Sequence, residues 1–452
     1  MGVNQQAQAA NITTFDVYSN YGKEISIYGK ETSIFGGTAE LHLYESILDN
    51  TVRVTALFAD TGNREGVLGA SALEKGDVQL TAGEKTHLIV EDNYGQQLKY
   101  TDDYQLRIKE VRNIIEHTQK VVYTIDFYSK EAIDNELVDN RVIKRYDGKI
   151  SDSVYRILKD DCIKTPKTVD VDLSLNQYNF LGNTEKPFDK IHALAPRCVP
   201  EMQGAYGNLA GYFFYEVADN GKGRGGFKFK SIDKLFQQSP MRKLIFNNTT
   251  SIPLGYDAKI LDYSFDNTVD LQHQLISGGL LSTQMKRLNT LSHKYTKDNF
   301  DSKNQLKEAN IAGQEVAKLA SDMNLQEKAT KIFVNPEIVG NIPSGFTLNQ
   351  QLEKSKELNF DISKILRQSA MRYNNLFTTK LTITIPGDFG LSAGDLLHCD
   401  FPEVSAKGEQ EISYRKSGLY MIVDLCHFIR SNPGQTFTRL NLVRESIGRK
   451  PF

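Results

Sequence analysis

Tryptophan is absent from this chain of 452 residues, and cysteine occurs only four times, at Cys162, Cys198, Cys399 and Cys426. The cysteines are widely separated and follow no C-x-x-C spacing, so neither a zinc site nor a disulfide framework is expected. Buried free thiols suit synthesis in a reducing cytosol. No apolar run reaches the roughly 18 residues of a membrane-spanning helix, and the opening MGVNQQAQAANITTFD has neither a basic n-region nor an apolar segment. Membrane insertion is therefore not expected. A charge surplus is missing too: the formal net charge of −2 gives no global basic field for gripping nucleic acid.

What is present is ordinary soluble composition, 40% hydrophobic and 24% charged, with 21 tyrosines and 23 phenylalanines suited to strand-rich packing. A chain this long predicts about two to four domains. Residues 1–37 are polar and read as an arm that orders against a partner or its own barrel. From Thr38 the pattern predicts strands over Leu41–Ile47, Val52–Phe58, Val78–Leu80, His87–Val90, Gln105–Val111 and Lys120–Ser129. In the last of these Val121, Tyr123, Ile125 and Phe127 share one face. Helical spacing follows: Ile150, Val154, Ile157 and Leu158 form a stripe, with Ser151 placed as a cap, and a second helix holds Ile191, Leu194 and Ala195 after Pro187.

The text GYFFYEVADNGKGRGGFKFKSIDKLF reads as strand, glycine turn, strand and a short helix capped by Ser231. Strands are expected again at Asp257–Asp266 and around Leu280–Tyr295, then a helix-prone stretch from Asn304 to Lys331 and a helix over Ile362–Phe377 with Ile362, Ile365, Leu366, Ser369 and Tyr373 on one stripe. In the terminal stretch Leu381, Ile383 and Ile385 alternate with Thr382 and Thr384 until Pro386–Gly387, and Ala393–Gly394–Asp395 makes a tight turn. The fold class expected is α+β, predominantly β: two β-barrel domains with an α+β middle layer. The divisions are an arm (1–37), a first barrel (38–130), the middle domain (131–250), a second barrel (251–300 with 363–448) and a helical insertion (301–362).

Motifs that could carry chemistry each have a plainer reading. Gly221, Gly223 and Gly226 match G-x-G-x-x-G, but a dinucleotide site needs a helix directly after the glycines, and here Phe227 and Phe229 make a strand; a hairpin tip is expected. His398–Cys399 and Cys426–His427 are adjacent pairs whose members point to opposite faces of a strand, so only cross-pairing could make a thiol dyad, and buried cysteines are the expectation. Asp170 and Asp172 share a face but lack further ligands, and Glu409 and Glu411 read as a charged loop. Lys222, Arg224, Lys228 and Lys230 interleave with Phe227 and Phe229, which suggests base stacking or, more simply, one core face of a hairpin. The glycosylation triplets at Asn11 and Asn247–Thr249 lack a secretory context. No catalytic, cofactor-binding or metal residue is assigned.

The order of these pieces resembles the baseplate hub proteins of contractile-tailed bacteriophages, the T-even-like hub family, related to the hub-like part of secretion-system spikes. The carriers are KLTITIPGDFGLSAGDLLHCDFP and SGLYMIVDLCHF through LVRES, the middle segments FDKIHALAPRCVPE, GYFFYEV and GFKFKSIDKLF, and QKVVYTIDFYSKEAI at the end of the first strand-rich region. The likeness spans roughly residues 40–300 and 363–448. It implies a non-enzymatic structural protein of the virion baseplate, made in the host cytoplasm. The partners implied are two further copies in a homotrimer, the tail tube, the central spike and wedge proteins, with DNA passing the channel unread and with no cofactor. Three chains of two barrels each would form a pseudo-sixfold ring joining a hexameric tube to a trimeric spike. A cell-wall hydrolase on a barrel scaffold, centred on Cys399, His427 or the Asp170–Asp172 pair, is the rival reading. A spike usually continues into a needle, whereas this sequence stops at Phe452.

Overall fold

The computed structural model describes residues 10–18, 20, 24–28, 38–60, 80–117, 121–201, 209–221, 223–247, 251–266, 282–289, 294–301, 309, 311–314, 331–337, 362–403, 412–431, 434–446 and 448. The N-terminal half supplies β1 (Asn11–Tyr18), β2 (Glu24–Tyr28), β3 (Thr38–Ser46), β4 (Arg53–Asp60), β5 (Lys85–Glu91), β6 (Gln97–Tyr100), β7 (Leu106–Glu116) and β8 (Val121–Ser129). Period-two alternation places one row of side chains inside: Leu41 and Leu43, Val54 and Ala56, Leu88 and Val90, and Tyr123, Ile125 and Phe127 all reach a single core. The expected arm contributes to that core. Its Asn11–Tyr18 strand pairs antiparallel with β5 and buries Ile12, Phe15 and Val17, so it orders against its own sheet. The strand expected at Val78–Leu80 falls largely outside the described residues, and Leu80 itself belongs to no strand.

The middle layer begins with α1 (Lys130–Asp134), β9 (Arg145–Tyr146) and α2 (Ile150–Arg156). The Ile150, Val154, Ile157 and Leu158 stripe is fully buried, and the helix continues as one π turn over Ile157–Asp161. Ser151 does not cap it: Lys149 holds the cap position, and the Ser151 N–H donates to the Ser174 hydroxyl at 3.1 Å. A long-range hydroxyl thus does the work that local spacing assigned to Ser151. Then come β10 (Val169–Val171), β11 (Phe180–Leu181), α3 (Pro187–Leu194), β12 (Tyr212–Val217), β13 (Gly226–Ser231) and α4 (Ile232–Leu235). Pro187 starts α3, and the Ser231 hydroxyl accepts the Lys234 N–H at 3.1 Å, as expected of N-terminal residues. β12 is buried on both faces. Phe214 joins Phe188, Ile191, Phe227 and Phe229 in the middle core, while Phe213, Tyr215 and Val217 face Leu396, Met421 and Val423.

The C-terminal half adds β14 (Arg242–Ile245), β15 (Ala258–Lys259), β16 (Asp262–Asp266), β17 (Ser282–Asn289), β18 (Lys294–Asp301), β19 (Lys331–Glu337), α5 (Ile362–Leu376), β20 (Thr379–Pro386), β21 (Leu396–Asp400), β22 (Gly418–Arg430) and β23 (Gln435–Arg444). Leu381, Ile383, Ile385, Leu397, Cys399, Tyr420, Ile422, Leu440 and Leu442 form the third large core. Strands β17 and β18, expected within the second barrel, instead pair with β19 in a separate sheet of order β18-β17-β19. β17 spends both edges within that sheet, antiparallel to β18 on one side and parallel to β19 on the other, so it has no edge left for the large sheet. The helix-prone Asn304–Lys331 stretch falls mostly outside the described residues, and a strand begins at Lys331.

Among the described residues one curled sheet of 15 strands joins both halves, through β3 paired antiparallel with β22. The class is α+β and predominantly β, as the sequence predicts. The alternation is testable within one strand. Ile383→Ala should cost about 2–5 kcal/mol in urea unfolding, whereas Thr382→Ala beside it should cost less than about 1 kcal/mol.

Candidate functional site

The three layers meet through buried charge. Lys167, 1% exposed, donates to Glu131 Oε2 at 2.7 Å, Glu216 Oε1 at 2.6 Å and Ser129 Oγ at 2.7 Å. Burial alone would lower the Lys167 ammonium; the Glu216 and Glu131 carboxylates outweigh it, so its pKa is raised. Glu216 also accepts the Val52 N–H at 3.1 Å, which ties β12 to the start of β4. Glu45, at the end of β3, accepts Ala218 N–H at 3.0 Å and Ala393 N–H at 3.1 Å, so one carboxyl touches all three layers. Burial pushes it up to about 8 against those two donors, with Asp395 and Glu216 adding to the rise. On the far side Asp388 holds Arg242 Nε at 2.8 Å and Gln96 Nε2 at 3.2 Å, and the Phe389 N–H donates to Asp92 at 2.9 Å.

A cleft of about 590 Å³ opens where the β12–β13 hairpin and α4 face the Ser392–Asp395 turn. Several residues that the sequence singled out converge there. Asp170 takes Lys230 at 2.6 Å and Lys228 at 3.2 Å; Asp172 takes Lys230 at 3.1 Å and Lys234 at 3.4 Å; Arg224 pairs with Asp395. The acidic pair is thus held by lysines. Gly394 lies at φ +87°, and a Cβ there would come within 2.4 Å of the Tyr215 hydroxyl, so the turn needs glycine for both conformation and room.

The other candidates take their plainer readings. Gly221 and Gly223 sit at positive φ in the hairpin tip, and Gly226 opens a strand against Val217 rather than a helix. Phe227 and Phe229 are fully buried, as one core face. Lys222, Glu409, Glu411 and Asn248–Thr249 lie outside the described residues; Asn11 is exposed and Asn247 buried. The histidines and thiols do not converge. His398 pairs with Asp400 at 3.1 Å, Cys399 packs in the C-terminal core, Cys426 lies against Tyr44, and His427 meets the Thr438 hydroxyl at 2.9 Å with its ring edge against Phe389. Burial raises the Cys399 thiol and pushes Cys426 up to about 11, while it lowers His427 to about 4. A thiol held neutral beside no base is a poor nucleophile.

Glu45, Glu216, Lys167 and Tyr215 escaped the sequence reading. Glu45 follows Leu41 and Leu43 in the buried phase of its strand, and Glu216 interrupts an apolar run; both are signals of a satisfied buried carboxyl. Lys167 has no such local signal.

Two outcomes follow. For Glu45 the folded pKa of about 8 exceeds the reference 4.5, so its contribution is intact below pH 4.5 and is lost as pH rises through 8. His427 acts in the opposite sense, costing stability as pH falls from 6.5 toward 4. Melting temperatures of Glu45→Gln against pH should lose the decline between 4.5 and 8, a component on the order of a few kcal/mol, whatever the offset from exchanging a carboxyl for an amide. In the native protein a thiol reagent at pH 8 should leave Cys162, Cys198 and Cys399 unmodified and reach half-buried Cys426 slowly; denaturation should expose all four. Fast native modification of Cys399 would revive a nucleophilic role.

No protein-family model matches the chain, and no curated protein matches its sequence. Solved structures do match. The tail protein from Neisseria meningitidis MC58 is similar at TM-score 0.52 and 12% identity, over 96% of this chain and 97% of that one. The 43 kDa tail protein of prophage MuSo2 from Shewanella oneidensis is similar at TM-score 0.51 and 9% identity, over 97% of this chain and 99% of that one. At such identity the likeness is one of fold, and it covers nearly all of the chain. The curled sheet with its wedged middle layer is thus a fold that this chain shares with these two tail proteins.

Proposed function

We propose that this chain is a structural component of a phage tail: the baseplate hub of a contractile tail, located in the virion baseplate. Three copies would form a ring whose six barrel-like halves match a hexameric tail tube on one side and a trimeric central spike on the other, with wedge proteins around it. The observation that carries this reading is the pair of large cores, one from each half of the chain, wrapped by a single sheet and matched end to end by tail proteins. A chain that presents two comparable curled units can convert threefold into approximate sixfold symmetry, because each copy occupies two of six places.

A mechanical role asks for stable interfaces rather than a reactive pocket. The neutral buried thiols and the lysine-neutralised Asp170 and Asp172 support it over the hydrolase reading. Native mass spectrometry of the purified protein should give three chain masses. A monomer at micromolar concentration, with cell-wall hydrolysis abolished by Cys399→Ala, would contradict the proposal.

A further inference from the structure

Three ammonium groups, a guanidinium and a tyrosine hydroxyl line the cleft beside the Ser392–Asp395 turn, and they offer more donors than its carboxylates use. The acceptors are occupied. Asp172 takes Lys230 and Lys234 and also the Ser231 N–H at 3.0 Å; Asp395 takes Arg224 and the Ser392 N–H at 2.9 Å; Asp170 takes Lys228 and Lys230. The donors are not. An ammonium carries three N–H bonds, and among the described residues Lys228 meets only Asp170, at 3.2 Å, and Lys234 only Asp172, at 3.4 Å. Tyr215 is 3% exposed, and among the described residues its hydroxyl has no hydrogen-bond partner although it lines the cleft. Four cations against three carboxylates leave one positive charge in surplus.

We infer that this cleft docks an acidic peptide segment of a partner protein, whose carboxylates accept from Lys228, Lys234 and the Tyr215 hydroxyl while the existing pairs stay in place. The interleaved carboxylates break up any continuous basic track of the kind a nucleic-acid backbone follows. Gln237, also in the lining, is an amide able to bond a peptide main chain, whereas Gln238 spends its amide N–H groups on Leu235 O at 3.1 Å and Gly394 O at 3.2 Å. The inference is independent of the ring reading, since the cleft is formed within one chain.

Fluorescence anisotropy on the full chain tests it, with labelled hexaglutamate as probe and labelled hexalysine and oligothymidine as comparison arms. Hexaglutamate should bind saturably, and Lys228→Gln with Lys234→Gln should weaken it about tenfold or more without loss of the folded melt. Tyr215→Phe, which keeps the ring, should weaken it severalfold, and it decides alone if the double variant does not fold. Unchanged affinity in the folded variants, or hexalysine or oligothymidine binding as tightly, would overturn the assignment. Oligomeric mass is read separately, so failure here leaves the ring reading standing, and the reverse.

Discussion

Strand β22 changes partner in mid-course, and most of the architecture hangs on that switch. Its first residues, Gly418–Met421, pair with β21; from Asp424 to Arg430 the same edge pairs with β3, while β23 follows the other edge from Met421 to Arg430. The changeover falls at a bulge between Ile422 and Asp424. There the backbone is taken up by both neighbours: Ile47 N–H donates to Val423 O, Gly394 N–H to Ile422 O, and Ile422 N–H to Asp395 O, each at 2.9 Å. A bulge bends its strand and increases local twist, which lets one sheet curl around a first core and then a second. The two halves are joined by backbone hydrogen bonds, not merely by packed side chains.

That junction explains why charge is buried where it is. The end of β3 and the Ala393–Gly394–Asp395 turn are brought together at the bulge, and β12 is wedged against them, so Glu45 is desolvated and accepts from the Ala218 and Ala393 backbone N–H groups. Glu216 is desolvated for the same reason and meets Lys167. Such groups add little net stability relative to apolar packing, but removing one partner leaves the other exposed to a low dielectric. They tolerate one arrangement of three layers and penalise others. The Arg372–Asp233 pair, also fully buried, locks α5 to α4 in the same manner, and the Tyr373 hydroxyl clamps the backbone of Tyr212.

How much of this was legible depends on range. Period-two alternation located β3, β4, β8 and β20, because side-chain direction in a strand is local. The Ser231 cap and the Pro187 start were readable for the same reason. The strand Asn11–Tyr18 was missed: its apolar positions, Ile12, Phe15 and Val17, break phase, and a register shift between Ile12 and Thr14 absorbs the break. Ser174 as the donor-capping group for α2, and Lys167 as counterion to two distant glutamates, are set by tertiary contact and leave no periodic trace. In the cleft, Asp170, Asp172, Arg224, Lys228 and Lys230 were each noticed, but only the fold shows that they face one another and the turn at Gly394.

The central claim is that each chain contributes two connected curled units to a ring. An axial image of the purified assembly by electron microscopy tests it directly. The account predicts six lobes around an open channel, joined in three pairs by the β3–β22 seam; a compact particle without a channel, or a ring whose lobes equal its chains in number, would contradict it.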